Sequence, residues 1–421
     1  MEKKYLSVRG TSDFDSSQSL AFHNLTKKSR ETLSLFGYDE IILPILEEAG
    51  LFAKGVGQTS DIVSKQMFKI QDKDTVLRPE GTAQVIRYYI QHSLFKQSDF
   101  HKFFYIGPMF RGERPQKGRF RQFHHIGVEA IGSDSVFLDA EVISLAMKIL
   151  DTVGISQKEL IINSLGCGKD KEKFSKRLFK DLSQKKNELC SNCQSRLARD
   201  PLRVLDCKKK TCKNIVSTLD LDNSCLCKEC LYSFEKLLSL LNNLGVEYTY
   251  QPQLVRGLDY YTNTVFEIIT SGLGAQDAIG AGGRYNNLVK FLGGPQTPAI
   301  GFALGVERIL LLLNEQKQVN GLDVFIAVAE KDLYKDAFSL LNQLRGAGII
   351  SDCDYLNKSL KAQMRVAQKK ASKFVIILGS QELLQQKVAL KCMEDGSQED
   401  VNLKDLPVKI SKLLGKELKQ C

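Results

Sequence analysis

The stretch Phe103 to Gly132, FFYIGPMFRGERPQKGRFRQFHHIGVEAIG, decides the fold. It opens on a β-like apolar run and passes through an exposed basic segment carrying Arg111, Arg114, Lys117, Arg119 and Arg121. It returns through a second apolar run from Ile126 to Ile131. Two strand-like runs joined by a charged turn read as a long antiparallel hairpin. Arginines on both legs offer guanidinium forks to a polyphosphate, and Phe123 offers a flat face to a purine. Glu113 and Glu129 sit among these cations. A solvated basic turn is the plainer account of the same charges.

Outward from this hairpin, 421 residues with 43% apolar content are enough for two or three domains. No apolar run reaches the roughly eighteen residues of a membrane span. The start, MEKKYLSVRG, lacks a signal-peptide core, so the expectation is a soluble cytoplasmic protein without membrane attachment. Eleven cysteines in such a chain point to free thiols or metal ligands over disulfides. The formal charge of +10 is concentrated: Lys169 to Lys213 holds 15 Lys and Arg against 6 Asp and Glu, a net +9. Attraction to a polyanion is therefore expected there.

Upstream, Ser16 to Phe36 has helical spacing and stops at Gly37. YDEIILPILEEAGLF reads as a strand interrupted by Pro44 and then a short helix. In TVLRPEGTAQVIRYYI, Pro79 restricts the chain and Gly81 permits close backbone approach, which sets Glu80 and Thr82 at a strand end. A carboxylate beside a hydroxyl suits a substrate ammonium; a dipole-favoured helix start is the competing account of Glu80. Downstream, Leu138 to Val153 is an amphipathic helix ended by Gly154, followed by a strand at Leu160 to Ser164.

Residues 166–252, rich in Lys, Asn, Ser and Cys, read as a helical insert. Cys190 with Cys193 and Cys227 with Cys230 each have the spacing of paired zinc ligands, and the four form a candidate structural zinc set. Buried thiols in a small helical module are the alternative. LVRGLDYYTNTVFEI, Leu254 to Ile268, aims Arg256 into a pocket and supplies hydroxyl-bearing rings at Tyr260 and Tyr261, which could equally be core aromatics. The glycines of GAGGRYNNLV, Gly280 to Val289, predict a turn lying close to a ligand, with Arg284 and Tyr285 at the following helix start. AIGFALGVERILLLL, Ala299 to Leu313, reads as strand then helix, with Arg308 near the helix start. Beyond Gly321 strands alternate with helices, which predicts a separate α/β domain with a mixed sheet.

Taken together these segments resemble the histidyl-tRNA synthetase family of class II aminoacyl-tRNA synthetases. FRGERPQKGRFRQFHHIGVEAIG resembles motif 2, LVRGLDYYTNTVFEI and GAGGRYNNLV the two histidine-family signatures, and AIGFALGVERILLLL motif 3. The resemblance implies a mostly antiparallel catalytic sheet flanked by helices, an α+β catalytic domain over 1–320 interrupted by the 166–252 insert, and an anticodon-binding α/β domain over 321–421. It implies a homodimer through motif 1, which YDEIILPILEEAGLF resembles, ATP with Mg2+ as the substrate complex, L-histidine and tRNA(His). By position, it sets Arg111 and Arg256 at the α-phosphate, and Arg119 and Arg308 at the γ-phosphate. Phe123 and Glu113 would meet adenine, and Glu80, Gly81 and Thr82 the amino end of histidine. Glu129, Tyr260 and Tyr261 would meet the imidazole.

His125 stands where the family commonly has glutamine, and an imidazole there predicts pH-sensitive binding near pH 6.5. Gln58 and Gln66 replace frequent glutamates, and RGTSDF lacks the family's usual proline. Lys208, Lys209 and Lys210 are the candidate tRNA contacts; neutralising them is expected to weaken tRNA binding and spare adenylate formation. Lys358, Lys361, Lys369 and Lys370 are less specific candidates. The rival from another class, a synthetase-like regulatory subunit without catalysis, typically lacks the motif arginines and the C-terminal domain.

Overall fold

In the computed structural model, which describes residues 5–57, 62–71, 73–273, 277–313 and 321–415, the hairpin forms. His101–Phe110 pairs antiparallel with Gln122–Ile131, His101 opposite Ile131 and Phe110 opposite Gln122. The returning leg buries successive residues from Ile126 to Ile131, because the sheet is covered on one face by helices and walls a cleft on the other.

That hairpin supplies the second and third strands of an eight-stranded sheet ordered Asp39–Glu40, His101–Phe110, Gln122–Ile131, Ala299–Gly305, Ala278–Arg284, Thr262–Ile269, Glu159–Ser164, Thr249–Tyr250. The five inner pairings are antiparallel and the two edge pairings parallel. The helix Val136–Val153, ended by Gly154 at φ 98, lies in the large core beneath the sheet with Leu145, Ala146 and Ile149 fully buried. Glycine suits that left-handed cap because no Cβ opposes it.

The glycines at 280, 282 and 283 do not make a turn. They lie in the strand Ala278–Arg284, paired on both sides, where a Cβ at Gly282 would run into the Gly301 carbonyl and the Phe266 ring. Close packing of neighbouring strands explains them, and only Gly283, at φ 153, also has an unusual backbone. Arg284 ends that strand, buried against Asp139 at 2.5 Å and donating to the carbonyls of Ser133 and Ser135, both at 2.9 Å. It is a structural cation, not a helix-start residue.

The basic insert has two fates. Helices Gly168–Ser183, Ser191–Arg199 and Lys210–Ser217 close around a small core of their own, including Leu178, Leu182, Val204 and Ile215. The last helix, Lys228–Asn243, puts Phe234, Leu237 and Leu241 into the main core instead. It bridges the parallel edge strands Glu159–Ser164 and Thr249–Tyr250, a join that needs a crossover longer than any tight turn.

The chain divides into two units, Met1–Phe14 with Ala21–Glu315, and Asp15–Leu20 with Gln316–Cys421. The second contains a five-stranded mixed sheet ordered Ser351–Cys353, Val324–Val328, Phe374–Leu378, Lys387–Cys392, Gln398–Asn402. Its first two pairings are parallel and the others antiparallel. Lys370 there is ion-paired with Asp352. Among the described residues no helix is long and apolar enough to cross a membrane.

Candidate active site

A cleft of about 780 Å³ opens over the sheet of the first unit. Strand register decides what it contains. Glu129 pairs with Gly301 on the next strand, and a Cβ at Gly301 would collide with the Glu129 carboxyl. The carboxyl is 1% exposed; one oxygen accepts from Thr82 Oγ1 at 2.6 Å and the other from the Tyr285 hydroxyl. Burial pushes its pKa from 4.5 to about 8, against the pull of those two donors. The carboxyl is therefore held as a neutral acid near pH 7.

Around it stand the tyrosines of the first signature. Tyr260 and Tyr261 lie 4.7 Å apart by ring centroid, and Tyr285 meets Tyr260 edge-on at 5.7 Å. Burial raises the hydroxyl of Tyr261 to about 12, so it remains a donor. Tyr105, on the hairpin's outgoing leg, also lines the cleft, and strand periodicity alone does not mark it. Its signal is a pair of glycines: a Cβ at Gly81 or at Gly127 would overlap the Tyr105 ring. Gly81 thus makes room for the Tyr105 ring.

Glu80 joins both of its sequence readings. Its oxygens accept from the amides of Thr82 at 2.7 Å and Ala83 at 3.0 Å, the donors at the start of the helix Thr82–Gln91. It also lines the cleft. Burial raises its pKa, while those amides and Arg111 pull the other way.

The same cleft holds the cations. Arg111 Nε donates to the Pro79 carbonyl at 2.8 Å, and its guanidinium lies 5.2 Å from the Phe123 ring centroid, so this ring already carries a cation on one face. Arg256 is 3.2 Å from Glu267, and its buried Nε has no hydrogen-bond partner among the described residues. Burial acts to lower its pKa, but Glu267, Tyr261 and Asp206 outweigh that and raise it. Arg308 donates from Nε to Gly118 O at 3.0 Å and from Nη1 to Ala278 O. Arg119 is ion-paired with the buried Glu113.

His125 lines the same cleft. Burial first, then Arg111, Arg308 and Arg78, hold its pKa well below 6.5. Both causes favour the neutral ring and move its titration away from the pH 6.5 expected of a free imidazole. Gln66 contributes its carbonyl to Gly112 N at 2.6 Å; Gln58 lies outside the described residues.

Sequence motifs do not reveal several polar groups in and around the cleft wall, among them Glu307 and Arg203, which line it. Glu307 accepts from His124 N at 2.8 Å and meets His124 Nδ1 at 2.8 Å. From the insert, Lys171 donates to the carbonyls of Asp259 at 2.9 Å and Tyr261 at 3.2 Å, while Arg203 pairs with Asp259 at 2.6 Å. Lys208 and Lys209 line the cleft, whereas Lys210 begins a helix away from its lining. The zinc set Cys190, Cys193, Cys227, Cys230 is not one cluster. Cys190 and Cys193 gather with Cys207 and Cys212, and Cys227 and Cys230 with Cys167 and Asp170.

A mostly antiparallel sheet with motif arginines arriving from separate strands and loops over one cleft is the architecture of a class II aminoacyl-tRNA synthetase. Residues 10–309 match the family model described as histidyl-tRNA synthetase, and 323–413 that of the anticodon binding domain. The histidine–tRNA ligase of Desulforamulus reducens is 44% identical over 405 residues, covering 94% of this chain and 97% of that protein. That of Aquifex aeolicus is 44% identical over 403 residues, covering 95% and 99%. The crystal structure of apo S. aureus histidyl-tRNA synthetase superposes with a TM-score of 0.79 at 34% identity, covering 97% and 100%. The chain belongs to the histidyl-tRNA synthetase family.

Proposed function

We propose that the chain catalyses histidine–tRNA ligation: L-histidine and ATP give histidyl-adenylate and pyrophosphate, and the histidyl group then passes to the 3′ end of tRNA(His). The first step needs charge compensation more than a base, because the attacking carboxylate is already anionic. The observation that carries this reading is the meeting of Arg111, Arg256 and Arg308 in one cleft with Thr82, Tyr260 and Tyr261, over a floor that holds Glu129 between two hydroxyl donors.

In this reading Arg111 and Arg256 flank the α-phosphate, Arg256 with a free Nε to give. Arg119 and Arg308 take the γ-phosphate, exchanging Glu113 and backbone carbonyls for phosphate oxygens. Phe123 stacks on adenine, Glu113 meets its edge, and Mg2+ enters with ATP. Glu80 and Thr82, set by the Gly81 turn, hold the ammonium group. Glu129, Tyr260 and Tyr261 bind the imidazole, for which a neutral acid and phenols are matched donors, and neutral His125 adds a hydrogen-bonding ring. The 321–421 domain would take the anticodon, and Lys208, Lys209 and Lys210 the tRNA backbone. We assign a homodimer on the motif 1 resemblance and a cytoplasmic location on the N-terminal stretch, which lacks a signal-peptide core.

Histidine-dependent exchange of pyrophosphate into ATP by the purified protein tests the reading. Exchange with histidine and not with other amino acids is the expected result. Intact ATP binding without exchange would favour a regulatory subunit.

A further inference from the structure

Four cysteines of the insert converge from three separate elements. Cys190 precedes the helix Ser191–Arg199 and Cys193 lies in its first turn, Cys207 lies in the loop after it, and Cys212 lies in the first turn of Lys210–Ser217. Their sulfurs all lie within 4.8 Å of one another, and Cys193, Cys207 and Cys212 are buried. No disulfide joins them. The Cys190 and Cys207 sulfurs stand 3.9 Å apart, close to the ~3.8 Å edge of a tetrahedron with ~2.3 Å zinc–sulfur bonds and far beyond the ~2.05 Å of a disulfide. The Cys190 amide donates to Cys212 Sγ at 3.3 Å, a contact that strengthens when sulfur carries negative charge.

These residues also belong to the insert's apolar core, and buried thiols pack well as small apolar groups. Packing, however, gives no reason for four sulfurs to meet at one point. The charge pattern is also suited to a metal. Four thiolates around one divalent ion leave a net charge of −2, and Lys208 and Lys209 follow Cys207 while Lys213 follows Cys212.

The second cluster differs. Asp170 there uses its oxygens on the amides of Cys167 at 3.2 Å and Cys227 at 3.1 Å, and Asn263 Nδ2 reaches Cys230 Sγ at 3.6 Å. These groups already close a helix start and a chain crossing, so this cluster is explained without an ion.

We propose that Cys190, Cys193, Cys207 and Cys212 form a four-thiolate structural zinc site that fixes one wall of the cleft. On binding, one Zn2+ displaces the four thiol protons to solvent and forms four zinc–sulfur bonds. Cys190 and Cys207 themselves line the cleft beside Lys208 and Lys209, so the ion holds this wall in register with the nucleotide-facing arginines.

The test is zinc content by plasma mass spectrometry on full-length protein, loaded with Zn2+ and freed of excess. Wild type and Cys227→Ser are expected to hold one zinc more per chain than Cys193→Ser and Cys212→Ser. Zinc kept by both latter variants, or none in wild type, overturns the proposal. If those variants fail to fold, Co2+ titration of wild type decides. A tetrahedral four-thiolate spectrum, bleached by added Zn2+, supports the site; octahedral or absent cobalt bands refute it.

Discussion

The floor of the cleft and its rim are built by different means. The floor is β-sheet, where pairing with a neighbour at every residue fixes the direction of each side chain. Glu129 faces the cleft's tyrosines because Gly301 lies opposite it and leaves the space. The rim comes from loops and the helical insert, and its positions depend on single ties such as Lys171 to the Tyr261 carbonyl and Arg203 to Asp259. A floor residue is thus replaced at the cost of chemistry with its geometry preserved. A rim residue is replaced at the cost of geometry.

The largest effect is expected of Arg256→Ala, on a loop of the rim where the side chain acts through its own charge. Removing a cation aimed at developing phosphate charge is expected to lower kcat for adenylate formation by about 10²–10³-fold, with the fold retained in circular dichroism. Pre-steady-state pyrophosphate release measures it, and a loss confined to KM would move Arg256 out of the transition state. Lys171→Met, by contrast, should act on the floor only through the Tyr261 loop and raise KM for histidine more than it lowers kcat.

Glu129→Gln has the next largest effect. Loss of the acid partner of the imidazole is expected to raise KM for histidine about 10- to 100-fold, within the ~1–3 kcal/mol that a buried polar group costs when its hydrogen bond is lost. It also has a signature in stability. The folded carboxyl keeps its proton up to about 8, while the unfolded one loses it near 4.5. Folding therefore takes up a proton in that window, and stability falls as pH rises across it. Urea titrations should show wild type losing stability relative to Glu129→Gln from pH 4.5 to 8, and parallel curves would remove the neutral-acid assignment.

The smallest effect belongs to the rim's charge. Replacing Lys208, Lys209 and Lys210 with Gln is expected to weaken tRNA binding and to flatten its log–log salt dependence by about 1 for each phosphate no longer neutralised. Since Lys208 and Lys209 line the cleft itself, the triple variant should also slow adenylate formation, in contrast to the sparing expected from sequence. Lys210→Gln alone should not. Filter binding across a salt series and pyrophosphate exchange separate the two effects.

The same contrast explains what can be read from the chain. Strand periodicity and the basic turn mark the hairpin and its arginines, the alternation of elements beyond Gly321 marks the separate mixed-sheet domain, and the antiparallel catalytic sheet comes from the family resemblance. The glycines of 280–283 mislead because a turn and a crowded strand both demand residues without a Cβ, and only the neighbouring strand distinguishes them. Tyr105 escapes because the room for its ring is made by Gly81 and Gly127, far from it in the chain or on the opposite strand. His125 looks titratable in isolation; the arginines around it come from distant segments. The cysteine spacing pairs the wrong partners because Cys207 and Cys212 lack the short interval that marks a ligand pair.

The crossover helix Lys228–Asn243 sets a limit on evolutionary tinkering with the insert. Composition suggests that everything between 166 and 252 could be exchanged as a cassette, yet Phe234, Leu237 and Leu241 are masonry of the main core. The portion before that helix closes around a core of its own, and it is this portion that carries most of the positive charge.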